Sequence, residues 1–183
     1  GLGVAVTAMV GQQMGARNPD GAHRATMLAL RVGYVYASVM MLLFVFGAGG
    51  LVRAFAGGLA PGEDRLLELS KAMLPLAAIY TLADITQLVF AGALRGAGDT
   101  RWVMYISVGL HWVMAVAAVV LIRVLALPPL TIWVFFIGFV ILLGASIFAR
   151  YKSGRWRSLS VIDEEKIEAE IHAPEIQTES QWI

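Results

Sequence analysis

An all-α, polytopic bundle of membrane-spanning helices is the fold class this sequence predicts, and three observations predict it. Of 183 residues, 58% are hydrophobic and 15% charged, above the roughly 45 to 50% apolar content of soluble domains. Mean hydropathy is correspondingly high, at +0.73. The apolar residues also gather into four uncharged runs of roughly the 20 residues that an α-helix needs to cross about 30 Å of hydrocarbon. None of the runs alternates with the period of two that a membrane β-barrel requires. Lipid accepts no other spanning structure, because it cannot satisfy free backbone hydrogen-bonding groups.

The first element is GLGVAVTAMVGQQM, from Gly1 to Met14. It is apolar and glycine-rich but too short to span, does not begin with Met, and has no basic leader of the kind a signal peptide carries. It reads as a partial span, the end of a transmembrane helix begun earlier. The first full span then runs from Val32 to Val52, between Arg31 and Arg53. The second runs from Ala72 to Leu94, between Lys71 and Arg95, and is broken only by Asp84. The third runs from Trp102 to Ile122, between Arg101 and Arg123, and the fourth from Leu130 to Ala149, followed by Arg150, Lys152, Arg155 and Arg157.

Basic residues near span ends set the orientation. With the segment after Met14 in the cytoplasm, Arg17, Arg24, Arg31, Arg95, Arg101, Arg150, Lys152, Arg155 and Arg157 lie inside, against Arg53, Arg65, Lys71 and Arg123 outside. The positive-inside rule favours this topology, with the C-terminus cytoplasmic. The outer loop from Gly57 to Glu68 is turn-forming and then acidic, and Pro128 with Pro129 starts the last span. Beyond the membrane region, residues 1–150, the tail at 151–183 is first basic and then acidic. From Ser158 onward it holds Asp163, Glu164, Glu165, Glu168, Glu170, Glu175 and Glu179 against Lys166 alone. Ser160 and Asp163 resemble a capping box, and Val161, Ile167 and Ile171 suit a short amphipathic helix, yet the charge and low apolar content favour a solvated, partly disordered end.

Several function classes are excluded. There is no cysteine, hence no thiolate metal site, disulfide or cysteine nucleophile. The sequence shows no phosphate loop, no metal-ligand spacing, no catalytic triad order and no nucleic-acid signature, and neither an enzyme nor a cofactor is expected. What remains is an acid inside a span. Tyr80, Asp84, Gln87, Ala91 and Arg95 share one side of a helix at 100° per residue, opposite Leu82, Val89 and Ala93. A charge at the bilayer centre costs roughly 2.5 to 3.5 kcal/mol on insertion scales, so such a residue faces protein or water and is a site hypothesis by default. A carboxyl there can exchange a proton or a sodium ion as its surroundings alternate. The competing reading is a hydrogen bond that glues helices, which Gln87 would also suit, while Tyr80 would suit an interface anchor. His111, with Ser107, Ala115 and Ala118 on its face, reads as a packed, neutral histidine at a close helix contact and is a weaker pathway candidate. Gly11 with Gly15, and Gly92 with Gly96, have the four-residue spacing of close helix approach.

Two stretches carry a resemblance. GVAVTAMVGQQMGARNPDGAHRA and, later, DITQLVFAGALRGAGDTR together resemble the second half of a multidrug and toxic compound extrusion (MATE) transporter of the NorM-like bacterial branch. The matching residues are Val10, Gly11, Gln12, Gly15, Ala16 and Asn18, then Gly92, Leu94, Arg95, Gly96, Asp99 and Thr100, and the likeness extends to about Arg150. It implies a twelve-span protein of two six-helix lobes, of which this chain holds the C-terminal lobe truncated at its start. It also implies an ion-coupling role for Asp84, with Gln87 beside it, and Na⁺ or H⁺ exchanged for a small-molecule drug across a bacterial inner (plasma) membrane. The partners implied are membrane lipid and the missing N-terminal lobe. Arg95 and Asp99 would fix the cytoplasmic turn after the coupling helix, and the four glycines would allow close packing.

Three rivals share the architecture. A lipid-linked saccharide flippase would need basic groups in its cavity, whereas the in-span charge here is acidic. An intramembrane enzyme would need a second group converging on Asp84, for which His111 is the thin candidate. The third is a purely structural subunit. If the two-lobe reading holds, residues 1–14 form a helix with an open apolar face, and Asp84 is not sealed inside the bundle.

Overall fold

Five α-helices are the main elements of the described residues. The computed structural model describes residues 1–55 and 64–159. Residues 57–63 of the outer loop, the acidic tail from Ser160 with its capping box, and the side chains of Arg53, Arg65 and Lys71 lie outside the described residues.

Helix α1 spans Leu2–Gly15. It buries Gly3, Val6, Val10 and Met14, one residue per turn, while Val4 on the other side is 75% exposed. The expected short helix with an open apolar face is what forms. Its end is set by three residues. Gly15 is the last helical position, Arg17 takes a left-handed φ of 53°, and Asn18 caps the next helix by accepting a hydrogen bond from the Gly21 backbone N–H at 2.9 Å. Pro19 then occupies the first helical position, where its missing N–H costs nothing.

Helix α2 spans Pro19–Phe55. The helix starts earlier than the expected first full span from Val32: its candidate membrane stretch, by length and composition, is Pro19–Gly47, which takes in Arg24 and Arg31. Both arginines are exposed, on the side away from the buried stripe of Ala22, Thr26, Ala29, Gly33 and Ala37. Long basic side chains can reach the membrane surface from inside a helix, so an uncharged run underestimates such a span.

Helix α3 spans Asp64–Gly96, with Pro75 inside it, and occupies the middle of the packing. Residues from α1, α2, α3, α4 and α5 join in one core that includes Val6, Val10, Ala29, Val89, Phe90, Leu94, Val103 and Ile147. Helix α3 ends in a tight motif in which Gly98, at φ 91°, sends its N–H to Arg95 O at 3.1 Å and Asp99 sends its own to Leu94 O at 2.9 Å. Helix α4, Thr100–Val119, follows at once and closes in a π-helical turn over Val120–Val124. Among the described residues Val103 is its only buried position. Helix α5 spans Pro129–Lys152, with Pro128 extended as its N-cap, as the Pro-Pro pair predicts. Three candidate spans, Ala72–Gly96, Thr100–Val124 and Pro129–Lys152, fall within a few residues of the expected ones. With Pro19–Gly47 they describe an integral membrane protein. Packed structure also continues beyond Arg150: Gly154, at φ 71°, reverses the chain into a short 3₁₀ turn over Arg155–Ser158 that buries Trp156.

The glycines divide by contact. A Cβ at Gly92 would fall 2.6 Å from the Gly3 carbonyl oxygen, and one at Gly96 would fall 2.5 Å from the Thr7 carbonyl oxygen. The backbones of α1 and α3 therefore touch. The Thr7 hydroxyl lies 2.9 Å from Gly3 O and 3.1 Å from Gly92 O, sharing one proton between the two helices. Gly11 faces Gly96 O with room for a methyl group, at 3.5 Å. The expectation for Gly15 is corrected, since nothing lies within 4 Å of its position; it sits past the end of the crossing. Gly92→Ala should therefore lower stability by about 1 to 3 kcal/mol, because the obstacle is backbone that cannot rotate away. Gly15→Ala should be neutral or stabilising by up to about 1 kcal/mol through helix propensity. Thermal unfolding of the two variants in detergent, followed by circular dichroism, checks the contrast.

Candidate functional site

Tyr80, Asp84 and Gln87 come one helical turn apart along α3, and all three are half-buried. The side chains around them are mostly aromatic and come from α5. Tyr80 stacks on Phe136 with ring centroids 5.6 Å apart and lies 6.3 Å from Trp133. The Trp133 and Phe136 rings are in turn 5.5 Å apart. One turn further along α3, Gly144 of α5 lies against Gln87: a Cβ there would meet the Gln87 Cβ at 3.6 Å. The small residue lets α5 close on α3 beside the polar stripe.

Asp84 makes no hydrogen bond or ion pair among the described residues. The buried Nε1 of Trp133 likewise has no hydrogen-bond partner. A carboxylate one helical turn from Tyr80 and an indole N–H on a ring 6.3 Å from it are thus both without a hydrogen-bond partner among the described residues. No cluster of three or more metal-ligating side chains occurs among the described residues.

His111 does not join this group. It is exposed on α4, its Nδ1 is 2.6 Å from the Ser107 carbonyl oxygen, and its ring meets Phe139 edge-on at 5.2 Å. The expected close helix contact on its face is corrected: Ser107, His111 and Ala115 line an open cavity of about 380 Å³ with Trp112. Phe139 and Phe136, 6.4 Å apart, separate His111 from Tyr80. A second cavity, of about 490 Å³, runs between α2, α3 and α5 with Tyr34, Ala83, Thr86 and Gly144 among its walls, but Tyr80, Asp84 and Gln87 are not part of them.

The remaining motif residues lie at the basic end of the bundle. Asn18 receives Gly21 and donates to Gln13 Oε1 at 3.0 Å, so Gln13 is the glutamine that locks the α1–α2 turn, while Gln12 is exposed. Asp99 is buried and binds Arg150 through two bonds, from Nε at 2.6 Å and Nη2 at 3.2 Å. Arg95, expected with Asp99 to fix this turn, sends its Nε to the Ala91 carbonyl oxygen at 3.1 Å on its own helix. The tight turn after Gly96 aims the Asp99 side chain across to α5, while Arg95 points away into solvent. Arg150 also lies 5.4 Å over the Trp102 ring, so one guanidinium ties α3, α4 and α5.

Two stretches, Gly3 to Ala25 and Asp84 to Arg101, thus contain the α1–α2 turn and the α3–α4 turn of one bundle. The family model described as MatE matches residues 1–120. The chain belongs to the MatE family. Among MatE-family relatives, a "Probable multidrug resistance protein NorM" of Idiomarina loihiensis is 32% identical over 161 residues, 87% of this chain and 33% of its own. A protein of the same description from Pasteurella multocida is 34% identical over 143 residues, 76% of this chain and 30% of its own. A "Multidrug resistance protein MdtK" of Proteus mirabilis is 29% identical over 150 residues, 79% of this chain and 31% of its own. The chain spans about a third of the length of these relatives. No solved structure matches it.

Removal of Arg150 tests the tie in this MatE bundle. Arg150→Ala should destabilise the protein by about 3 kcal/mol, because it strands a buried carboxylate. Arg150→Lys, which keeps the charge but loses the two-pronged geometry, should cost roughly 1 kcal/mol. Denaturant titration of helical content measures both.

Proposed function

We propose that the protein is a secondary active multidrug efflux transporter, in which inward flow of Na⁺ or H⁺ drives an organic cation or other amphipathic drug outward by alternating access. The observation that carries the reading is Asp84, a half-buried carboxylate in the Ala72–Gly96 span with no hydrogen-bond or ion-pair partner among the described residues. A carboxylate at that depth is costly unless something cationic or polar meets it, and the described residues supply no hydrogen-bond or ion-pair partner. A cation that binds and leaves would supply it. The ring faces of Tyr80, Phe136 and Trp133 suit an organic cation, and the unpartnered Trp133 N–H suits an acceptor atom on a drug. Because one carboxylate serves the small ion or the drug but not both, occupancy by either weakens the other, which is the coupling that antiport requires.

Membership of the MatE family and the printed names of the relatives support the same reading. Their greater length supports a further lobe of the same protein, across a cleft from this one. The distribution of basic residues supports a bacterial plasma-membrane protein with a cytoplasmic C-terminus.

Asp84→Asn is nearly isosteric and should leave expression and helical content unchanged while reducing coupled efflux at least tenfold. The measurement is drug efflux from proteoliposomes under an imposed Na⁺ or H⁺ gradient, with the full-length protein at matched levels. Undiminished gradient-driven efflux by the Asn variant would sink the assignment.

A further inference from the structure

At the basic end of the bundle, away from Tyr80 and Asp84, a cavity of about 360 Å³ opens between α2, α3, α5 and the 3₁₀ turn. Its wall is apolar and its rim is charged. Met27, Leu30, Phe90 and Phe148 form the wall, and Lys152 and Arg157 stand on the rim. Measured along the helices, Phe148 is one turn below Lys152, Phe90 about two turns in from Gly96, and Leu30 about three turns in from Pro19. The wall therefore reaches about 5 to 15 Å into the membrane from the rim.

The rim is a built structure. Trp156 is buried, stacks on Tyr151 with centroids 5.0 Å apart, and donates its indole N–H to the Tyr151 carbonyl oxygen at 3.0 Å. The Tyr151 hydroxyl is 2.9 Å from His23 Nδ1 on α2. Arg157 lies 5.3 Å over the Trp156 ring and pairs with the exposed Asp20 at 3.2 Å. An aromatic platform thus holds one cation, and Lys152 lines the same cavity.

We infer that this cavity is a binding site for an anionic phospholipid, its phosphate at Lys152 and Arg157 and the upper part of an acyl chain against Phe90 and Phe148. The geometry has both halves such a molecule needs, an apolar slot entered from the side and cations at headgroup level. A cationic drug would meet like charges at this rim. An acidic peptide would match the rim, but would have to carry its carboxylates down an apolar wall. Assignment to the cytoplasmic leaflet rests on the orientation proposed above; binding itself does not.

Native mass spectrometry of the delipidated full-length protein, titrated in detergent with phosphatidylglycerol or with phosphatidylethanolamine of the same acyl chains, tests the site independently of transport. Phosphatidylglycerol should be retained several-fold better. Lys152→Gln and Arg157→Gln should each weaken its retention about fivefold, the worth of one basic residue near an anionic headgroup, and leave phosphatidylethanolamine unchanged. Asp20→Asn, which frees Arg157 of its counter-ion, should strengthen retention and shows that the region tolerates substitution. Equal retention of the two lipids, or no change in the two Gln variants, overturns the proposal. Phosphatidylglycerol binding that appears only after residues 160–183 are deleted also overturns it, because the acidic tail is then the occupant.

Discussion

Close approach of two backbones, α1 on α3, is the constraint on which the rest of this bundle depends. Helices in hydrocarbon gain little by hiding apolar side chains from one another, since lipid tails are equally apolar, so contact must come from dispersion at short range and from shared polar groups. Gly92 and Gly96 give α3 a bare strip against Gly3 and Thr7, and the Thr7 hydroxyl adds a bond shared across the crossing. With α3 fixed there, its other sides are committed, to α2 through residues such as Ile85 and to α5 through Gly144. Helix α4 shows what happens without such a strip: it faces outward along most of its length and is tethered chiefly at its start, where Trp102 lies under Arg150.

Two carboxylates on either side of the same helix end show how differently the fold treats charge. Asp99 is buried and fully answered by a two-pronged arginine, and a structural role accounts for it. Asp84 is half-buried and unanswered among the described residues. A charge inside a span must face protein or water, so the contrast between the two, more than the presence of an acid in a span, underlies the function proposed above.

The helix count and the three later spans were legible because hydropathy over about 20 residues reports the solvent, and lipid is an unforgiving one. The start of α2 was not, because Arg24 and Arg31 reach out of a helix that is apolar on its packed side. Gly92 and Gly96 were legible from spacing, and the same spacing of four runs through Gly3, Thr7, Gly11 and Gly15. It could have identified Gly3 and Thr7 as the contacts, but it could not show where the crossing ends and so misjudged Gly15. Arg150 was hidden from Asp99 by a sequence distance of 51 residues. Trp156, Tyr151 and His23 were overlooked inside a segment whose charge dominated its reading. Trp133 carried no signal at all in the sequence, since its missing partner is a property of packing alone.

The Asp99–Arg150 tie also bears on how the protein is made. Its two ends are 51 residues apart, and a ribosome adding about 5 to 20 residues per second takes roughly 3 to 10 s to cover that distance. Through that interval the α3–α4 hairpin exists with a carboxylate whose counter-charge has not been synthesised. Water at the membrane face must solvate it meanwhile, so the hairpin cannot settle to its final depth until α5 arrives. The last helix therefore sets the moment at which the bundle closes.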